Sequence, residues 1–467
     1  MAYKMDDMLQ NFDVFPKIVV AGRPVEIRVR PLGGRRVLLP DTEYPLWICA
    51  LDQGEPRDYP SLADFRQTSV HTDDNGRFAL THTFDSEQEY FLRVMKPEDP
   101  KRKLIQFSVY CVAEDLAGRW PLIGDLHIHT TCSDGNQDPE VVCANYRRYG
   151  YDFMVVSDHG RYYPSLRAIE FYQDIPTGLT IVPGEEVHMP WVDDDGLAAH
   201  IVNFGGEYSV NALVEGTQTN EVGKDLAFRA IRTENVPDVM TQAQFHEAMK
   251  TRAAAIDVPD GIDRYPAAVC TWVFDQIRNA GGLGIFPHPT WRSNVYHVPE
   301  RFSDWIMKNR ICDAFEVLGG ERYYEQNGFQ TARYYRMAAE GVRLPVVGST
   351  DSHSSYESND GAFICSTIVF SPENERKALI ASIKDYYSVA VDTISREFRL
   401  VGEERFVRYG CFLLKHYFPL HDDLCIEEGR LMKQAVTGTK EEKAEAVALL
   451  GVIRGRVDRL REKYFAF

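Results

Sequence analysis

The chain has 467 residues, of which 44% are hydrophobic and 26% charged, the balance of an ordinary folded protein long enough for two or three domains. A formal net charge of -17 repels phosphate backbones and anionic headgroups, so no nucleic acid and no membrane is expected as a partner. Asp6, Asp7, Asp13 and Lys17 interrupt any leader-like apolar core, and no later stretch reaches the about 18 apolar residues of a membrane span. Nine scattered cysteines without a Cys-x-x-Cys pair indicate reduced thiols, and the expected location is cytoplasmic.

Residues 1–120 read as an all-β sandwich. Over residues 18–31 apolar and polar positions alternate around a Gly22-Arg23-Pro24 turn, a hairpin signature. Short apolar runs follow at Leu46–Leu51, Phe78–Phe84, Tyr90–Met95 and Leu104–Val112, separated by turns such as Asp73-Asp74-Asn75-Gly76.

After Trp120 the pattern changes to short apolar runs alternating with helical segments, the mark of a parallel sheet with crossover helices. The runs are Leu122–Ile128, Phe153–Val156, Leu179–Val182, His200–Phe204, Leu283–Phe286, Ala314–Leu318 and Leu344–Val347. Residues 206–270 form a polar, weakly periodic insertion within this 121–400 domain, placed to act as a lid. Residues 401–467 make a helical C-terminal extension, in which Val447, Leu450, Ile453, Val457 and Leu460 form one apolar stripe for packing on the body or on a second copy in a homo-oligomer.

Metal-ligating side chains stand on or just past nearly every strand of the middle domain. His127 and His129 lie on the first, followed by Asp134; Asp158 and His159 follow the second, and Glu185 and Glu186 the third. His200 opens the fourth, His288 follows the fifth, and Asp351 and His353 follow the last. Residues two apart on a strand project to the same side, so both imidazoles of His127-Ile128-His129 can face one ion. A turn-capping role is the competing reading for His288 and Asp158, and a core role for His200, yet such explanations seldom coincide on successive strand ends of one domain.

The strings Gly124-Asp-Leu-His-Ile-His-Thr-Thr-Cys-Ser-Asp-Gly135, Val155-Val-Ser-Asp-His-Gly160, Val182-Pro-Gly-Glu-Glu186, Ala199-His-Ile-Val202, Pro287-His-Pro289 and Gly348-Ser-Thr-Asp-Ser-His353 resemble the polymerase and histidinol phosphatase (PHP) superfamily. The resemblance covers about residues 121–400, with the motifs in family order. It implies a distorted (β/α)7 barrel with two or three divalent ions, zinc, manganese or iron, at its mouth. Carried over by motif, His127, His129, Glu186 and Asp351 bind one ion and Asp134, His159 and His353 surround a second, while Glu186 bridges to a third held by His200 and His288. Asp134 stands where some relatives carry histidine, which leaves the metal open.

Closely spaced divalent ions lower the pKa of a shared water, so the expected function is a metal-dependent hydrolase using a metal-bridged hydroxide, acting as a phosphoesterase on a small phosphorylated compound. Asp351 is the candidate catalytic residue, steering a proton of the attacking water. Asp125 is expected to orient a ligand imidazole, Arg161 and Arg292 either to grip an anionic substrate or to serve as solvated or structural side chains, and Trp191, Trp291 and Tyr323 either to pack or to line the pocket. One alternative is a carbamate or carboxylic ester hydrolase, since a β-rich segment before the domain is similar to the carbaryl-hydrolase-like branch. Another is a non-catalytic ligand-binding module.

Overall fold

The computed structural model describes residues 7–33, 38–52, 65–189, 199–215, 239–292, 294–320, 324–355, 365–393 and 399–467. The chain divides into two units. Residues up to Arg119, with Arg408–Leu424 and Gly455–Phe467, form a β-rich unit; Trp120–Val407 and Cys425–Arg454 form a mixed α/β unit. The stretch 401–467, expected as one extension, is therefore shared between them.

In the β-rich unit a three-stranded sheet has the order Phe12–Phe15, Pro24–Pro31, Phe78–Thr83, and a five-stranded sheet the order Ile18–Val20, Asp99–Val112, Gln88–Lys96, Glu43–Ala50, Arg66–His71. Phe12, Val29 and Leu80 of the first share one core with Leu46, Leu92 and Phe107 of the second, and the Phe12 and Phe107 rings meet edge to face at 5.2 Å. The expected hairpin at 18–31 does not form. Ile18–Val20 pairs in parallel with Tyr110–Val112, whereas Pro24–Pro31 pairs with Phe12–Phe15 and Phe78–Thr83. Gly22, at φ 76°, turns the chain from one sheet into the other, a conformation without penalty only for glycine. Helix Arg456–Tyr464 belongs to this unit: Asp13 on the first strand accepts from Tyr464 and pairs with Lys463 and Arg30.

The α/β unit is built on two sheets. One has the order Thr180–Val182, Phe153–Val155, Trp120–Asp125, Cys365–Ser371, Ser388–Asp392, Arg399–Val401, its first three strands parallel and the rest antiparallel. The other runs Gly184–Val187, Ile201–Phe204, Leu283–Phe286, Ala314–Leu318, Val346–Gly348. Single parallel bridges, Ile128 to Ser352 and His159 to Glu186, tie the two sheets together. Between them lies a core of Leu122, Leu126, Phe153, Val155, Val202, Leu283 and Val347.

The expected all-parallel order is broken at Ile201–Phe204, which runs antiparallel to both neighbours. The strand Gly184–Val187 follows Thr180–Val182 after a single residue, so the chain passes directly from the first sheet into the second, where Ile201–Phe204 pairs back against it. The described parts of the 206–270 stretch pack on the body. Val210, Leu213, Phe245, Met249 and Ala267 are buried in the core that packs helices Arg264–Asn279 and Glu300–Lys308 on the second sheet; the 216–238 part of that stretch lies outside the described residues.

The residues of the expected apolar stripe fall on two helices, Lys440–Ile453 and Arg456–Tyr464. Thr439 and Glu442 form a capping box that starts the first, and Gly455, at φ 75°, interrupts the pattern before the second. Leu450 and Ile453 pack with Val142, Tyr146 and Met154 in the α/β unit.

Candidate metal centre

Past the strand Trp120–Asp125 the chain stays extended, and the His129 amide donates to the Ser352 carbonyl at 2.9 Å. This pairing sets His127-Ile128-His129 beside Asp351-Ser352-His353, and Asp351 and His353 come up against the rings of His127 and His129. Asp351 Oδ1 lies 2.8 Å from His129 Nε2 and 3.3 Å from His127 Nε2. Asp351 and His288 both hold positive φ, 48° and 24°, a backbone state that non-glycine residues keep only when surrounding contacts over-determine it.

Glu186 sits at the middle. Its side chain has no exposure, and His127, His129, His159, His200 and His288 each bring a ring nitrogen to between 2.6 and 3.6 Å of its oxygens. Neither oxygen accepts a hydrogen bond from a described residue, and His129 Nδ1, His200 Nδ1 and His288 Nδ1 are likewise buried without a hydrogen-bond partner. Farther out, Asp134 lies 3.5 Å from His159 and 3.3 Å from His353. All nine residues singled out from the sequence thus fall within four overlapping groups, {His129, Asp134, His159, His353}, {His159, Glu186, His188, His200}, {His127, His288, Asp351} and {His127, His129, Glu186}, whose ligand atoms lie within 4.8 Å of one another.

Electrostatics follow from this crowding. Burial works against the Glu186 and Asp351 carboxylates, but the surrounding imidazoles hold both well below the usual carboxylate range. Burial pushes His129 down to about 3, helped by the neighbouring His159, whereas for His353 the Asp134 and Asp351 carboxylates overcome burial and raise it to about 9. A buried carboxylate, Glu186, that accepts no hydrogen bond from the described residues and faces imidazole nitrogens without partners is a donor set that a divalent cation fits.

Asp125 does not orient a ligand ring, contrary to expectation. It accepts from the Thr350 amide at 3.0 Å, the Thr350 hydroxyl at 2.5 Å, the Tyr146 hydroxyl at 3.0 Å and the His127 backbone at 3.2 Å, so it fixes the two ligand-bearing segments rather than an imidazole. The ring partner is Glu316, which sequence reasoning missed: its Oε2 lies 3.1 Å from His127 Nδ1, and its Oε1 accepts from the His288 amide at 3.2 Å. A fully buried glutamate inside the apolar run Ala314-Phe-Glu-Val-Leu318 was the signal available, since such a charge needs a partner.

Asp158 accepts from Thr130 and Ser133, and Glu185 from Ser209 and the Val210 amide. Both are structural acceptors away from the imidazoles. Arg161 is 4% exposed, and its Nε has no hydrogen-bond partner. Arg292 pairs with Glu325 at the surface, which neutralises the charge it was expected to offer a substrate. Trp291 packs near His297, with ring centroids 5.2 Å apart; Trp191 and Tyr323 lie outside the described residues. His188, also unforeseen, stands beside His159 and His200.

No family model and no curated protein matches this sequence. Among solved structures, the chain is similar to a two-domain protein from Bacteroides vulgatus described as containing a predicted PHP-like metal-dependent phosphoesterase, at 16% identity and TM-score 0.39, over 62% of this chain and 69% of that one. A protein from Bifidobacterium adolescentis described as a metal-dependent phosphoesterase is 19% identical, with TM-score 0.32, over 50% of this chain and 89% of its own. An amidohydrolase from Chromobacterium violaceum, with bound sulfate and no metal, is 18% identical, with TM-score 0.31, over 51% and 89%.

Proposed function

We propose that this chain is a metal-dependent hydrolase of the PHP type and that it cleaves phosphate esters of a small compound. The observation that carries the proposal is the Glu186 carboxylate, fully buried, accepting no hydrogen bond from the described residues and ringed by imidazole nitrogens. On this reading the two sheets of the α/β unit, tied by single bridges at Ile128 and His159, are the wall of a seven-stranded barrel with the site at its mouth. His127, His129, Asp134, His159, Glu186, His200, His288, Asp351 and His353 would hold two or three divalent ions of zinc, manganese or iron.

Bound there, such ions supply a nucleophilic water at neutral pH and polarise the bond under attack. The chain's own groups do the rest. Glu316 holds the Nδ1 side of His127, so its Nε2 stays turned to Glu186 and Asp351. Asp351, 15% exposed at the side chain, is the carboxylate placed to take the proton of the attacking water. Arg161, a nearly buried cation two residues past His159, offers charge complementary to a phosphate. The substrate is a small molecule, with neither nucleic acid nor membrane as a partner, and the setting is cytoplasmic.

The test is metal content of the purified chain, followed by turnover of a chromogenic phosphate ester beside the matching acetate ester. Phosphate turnover that rises with added manganese or zinc and disappears in His127→Ala supports the proposal. Turnover of the acetate alone transfers the same site to ester hydrolysis. A chain that takes up no metal and turns over neither ester overturns it.

A further inference from the structure

His127-Ile128-His129 and Asp351-Ser352-His353 share one design, two ligand-type residues separated by one apolar or small residue. The same design occurs a third time. Strand Gly184–Val187 ends at Val187, and Glu186-Val187-His188 places a second ligand-type side chain two residues beyond Glu186, on the same side of the chain.

We propose that His188 is a metal ligand, completing a site with His159, Glu186 and His200; this rests on the metal-dependent reading above. His188 Nε2 lies 2.9 Å from His159 Nδ1 and 3.8 Å from Glu186 Oε2. His159 Nδ1 is 2.6 Å from that same oxygen, and His200 Nδ1 is 2.7 Å from Glu186 Oε1. Ligands bonded to one zinc at tetrahedral angles stand about 3.4 Å apart, and these separations bracket that value.

Proton counting separates a site from a hydrogen-bonded cluster. His159 Nδ1 carries at most one proton, which can serve either Glu186 or His188. Both Glu186 oxygens and His200 Nδ1 nevertheless remain without a hydrogen-bond partner among the described residues, although all are buried. One cation accepting a lone pair from each of His159, Glu186, His188 and His200 satisfies the His200 nitrogen and one Glu186 oxygen together.

The position of His188 is also held from behind. The fully buried Asn211 side chain accepts from the His188 amide at 2.9 Å and donates to the His188 carbonyl, clamping the backbone on both sides. The cavity beside His188 and His200 is otherwise lined by apolar groups including Met189, Pro266, Val269 and Val273, which offer the imidazole no alternative partner.

The experiment is zinc titration of the chelator-stripped chain, read as zinc retained per chain after gel filtration and as affinity against a chromophoric chelator. His188→Ala is expected to retain one zinc fewer than the wild type, or to hold its weakest zinc at least about tenfold less tightly, with millimolar imidazole restoring the loss. Unchanged stoichiometry and affinity in His188→Ala overturn the inference while leaving the hydrolase reading intact. A wild-type chain that binds no zinc overturns both. Circular dichroism of the stripped proteins checks the fold, and should His188→Ala misfold, His188→Gln is scored by the same two outcomes.

Discussion

Glu316 lies at the bottom of the site and touches two ligand-bearing segments at once, the ring of His127 and the backbone of His288. Replacing one carboxylate oxygen by an amide keeps the volume but removes the charge that makes the imidazole a stronger donor to an ion. Glu316→Gln is therefore expected to weaken metal binding about ten- to hundredfold with little change in the fold, as measured by chelator competition. The ligand-type residues were legible in the sequence because histidine and aspartate at strand ends are conspicuous. Glu316 and His188 were not, because each is chemically defined only by what stands across from it: one looks like a stray charge in an apolar strand, the other like a residue past a strand that sequence alone did not reveal. Asp125 shows the converse, a motif residue whose partners proved to be backbone amides and hydroxyls.

At the scale of elements, close approaches of the backbone govern where those residues meet. A Cβ on Gly320 would collide with the Thr350 carbonyl oxygen, one residue before Asp351. Gly320→Ala must displace that segment, so a lower melting temperature and weaker metal binding are expected together in one thermal scan with and without zinc. Helix Phe418–Thr437 contributes a different support. Its Glu428 reaches Arg147 at 2.8 Å and accepts from Thr177 and the Gly178 amide, with Arg147 almost wholly buried. Burial opposes the Glu428 charge, yet Arg147 holds its pKa below the ordinary 4.5. A depressed carboxylate pKa adds stability that is present above 4.5 and is lost as pH falls through the lower folded value. Wild-type stability should accordingly drop on acidification below about pH 4.5. Glu428→Gln should flatten that slope while costing about 1–3 kcal/mol at neutral pH, since the buried guanidinium keeps Asp152 at 3.4 Å as its remaining counter-charge. Urea melts at several pH values check both.

Apolar runs located most strands of the α/β unit, among them Leu283–Phe286 and Ala314–Leu318, because burial on both faces leaves a continuous hydrophobic signature. Direction was not legible. Ile201–Phe204 runs against Leu283–Phe286 although the chain between them carries two helices among the described residues and is long enough for either direction, and Gly184–Val187 hid behind its two glutamates.

For the whole molecule, the metal-dependent reading predicts that a divalent cation stabilises the α/β unit by satisfying the buried Glu186 oxygens. A ligand that binds only the folded state stabilises it by about 2.7 kcal/mol at a hundred times its dissociation constant. Chelation should lower the melting temperature, and excess zinc or manganese should restore it. No helix among the described residues is long and apolar enough to cross a membrane, and the net charge of -17 predicts no retention on heparin at physiological salt.

The route of the chain carries one more consequence. Lys17 donates its amide to Tyr464, and Ala466 donates to Ile18, so the unit whose strands come first in sequence takes its last pieces from residues 455–467. On a ribosome that unit cannot be finished until those residues have emerged, whereas all segments of the α/β unit have been made by Arg454. The part begun first is completed last, so the pairing of Lys17 with Tyr464 closes a long loop that folding can form only late.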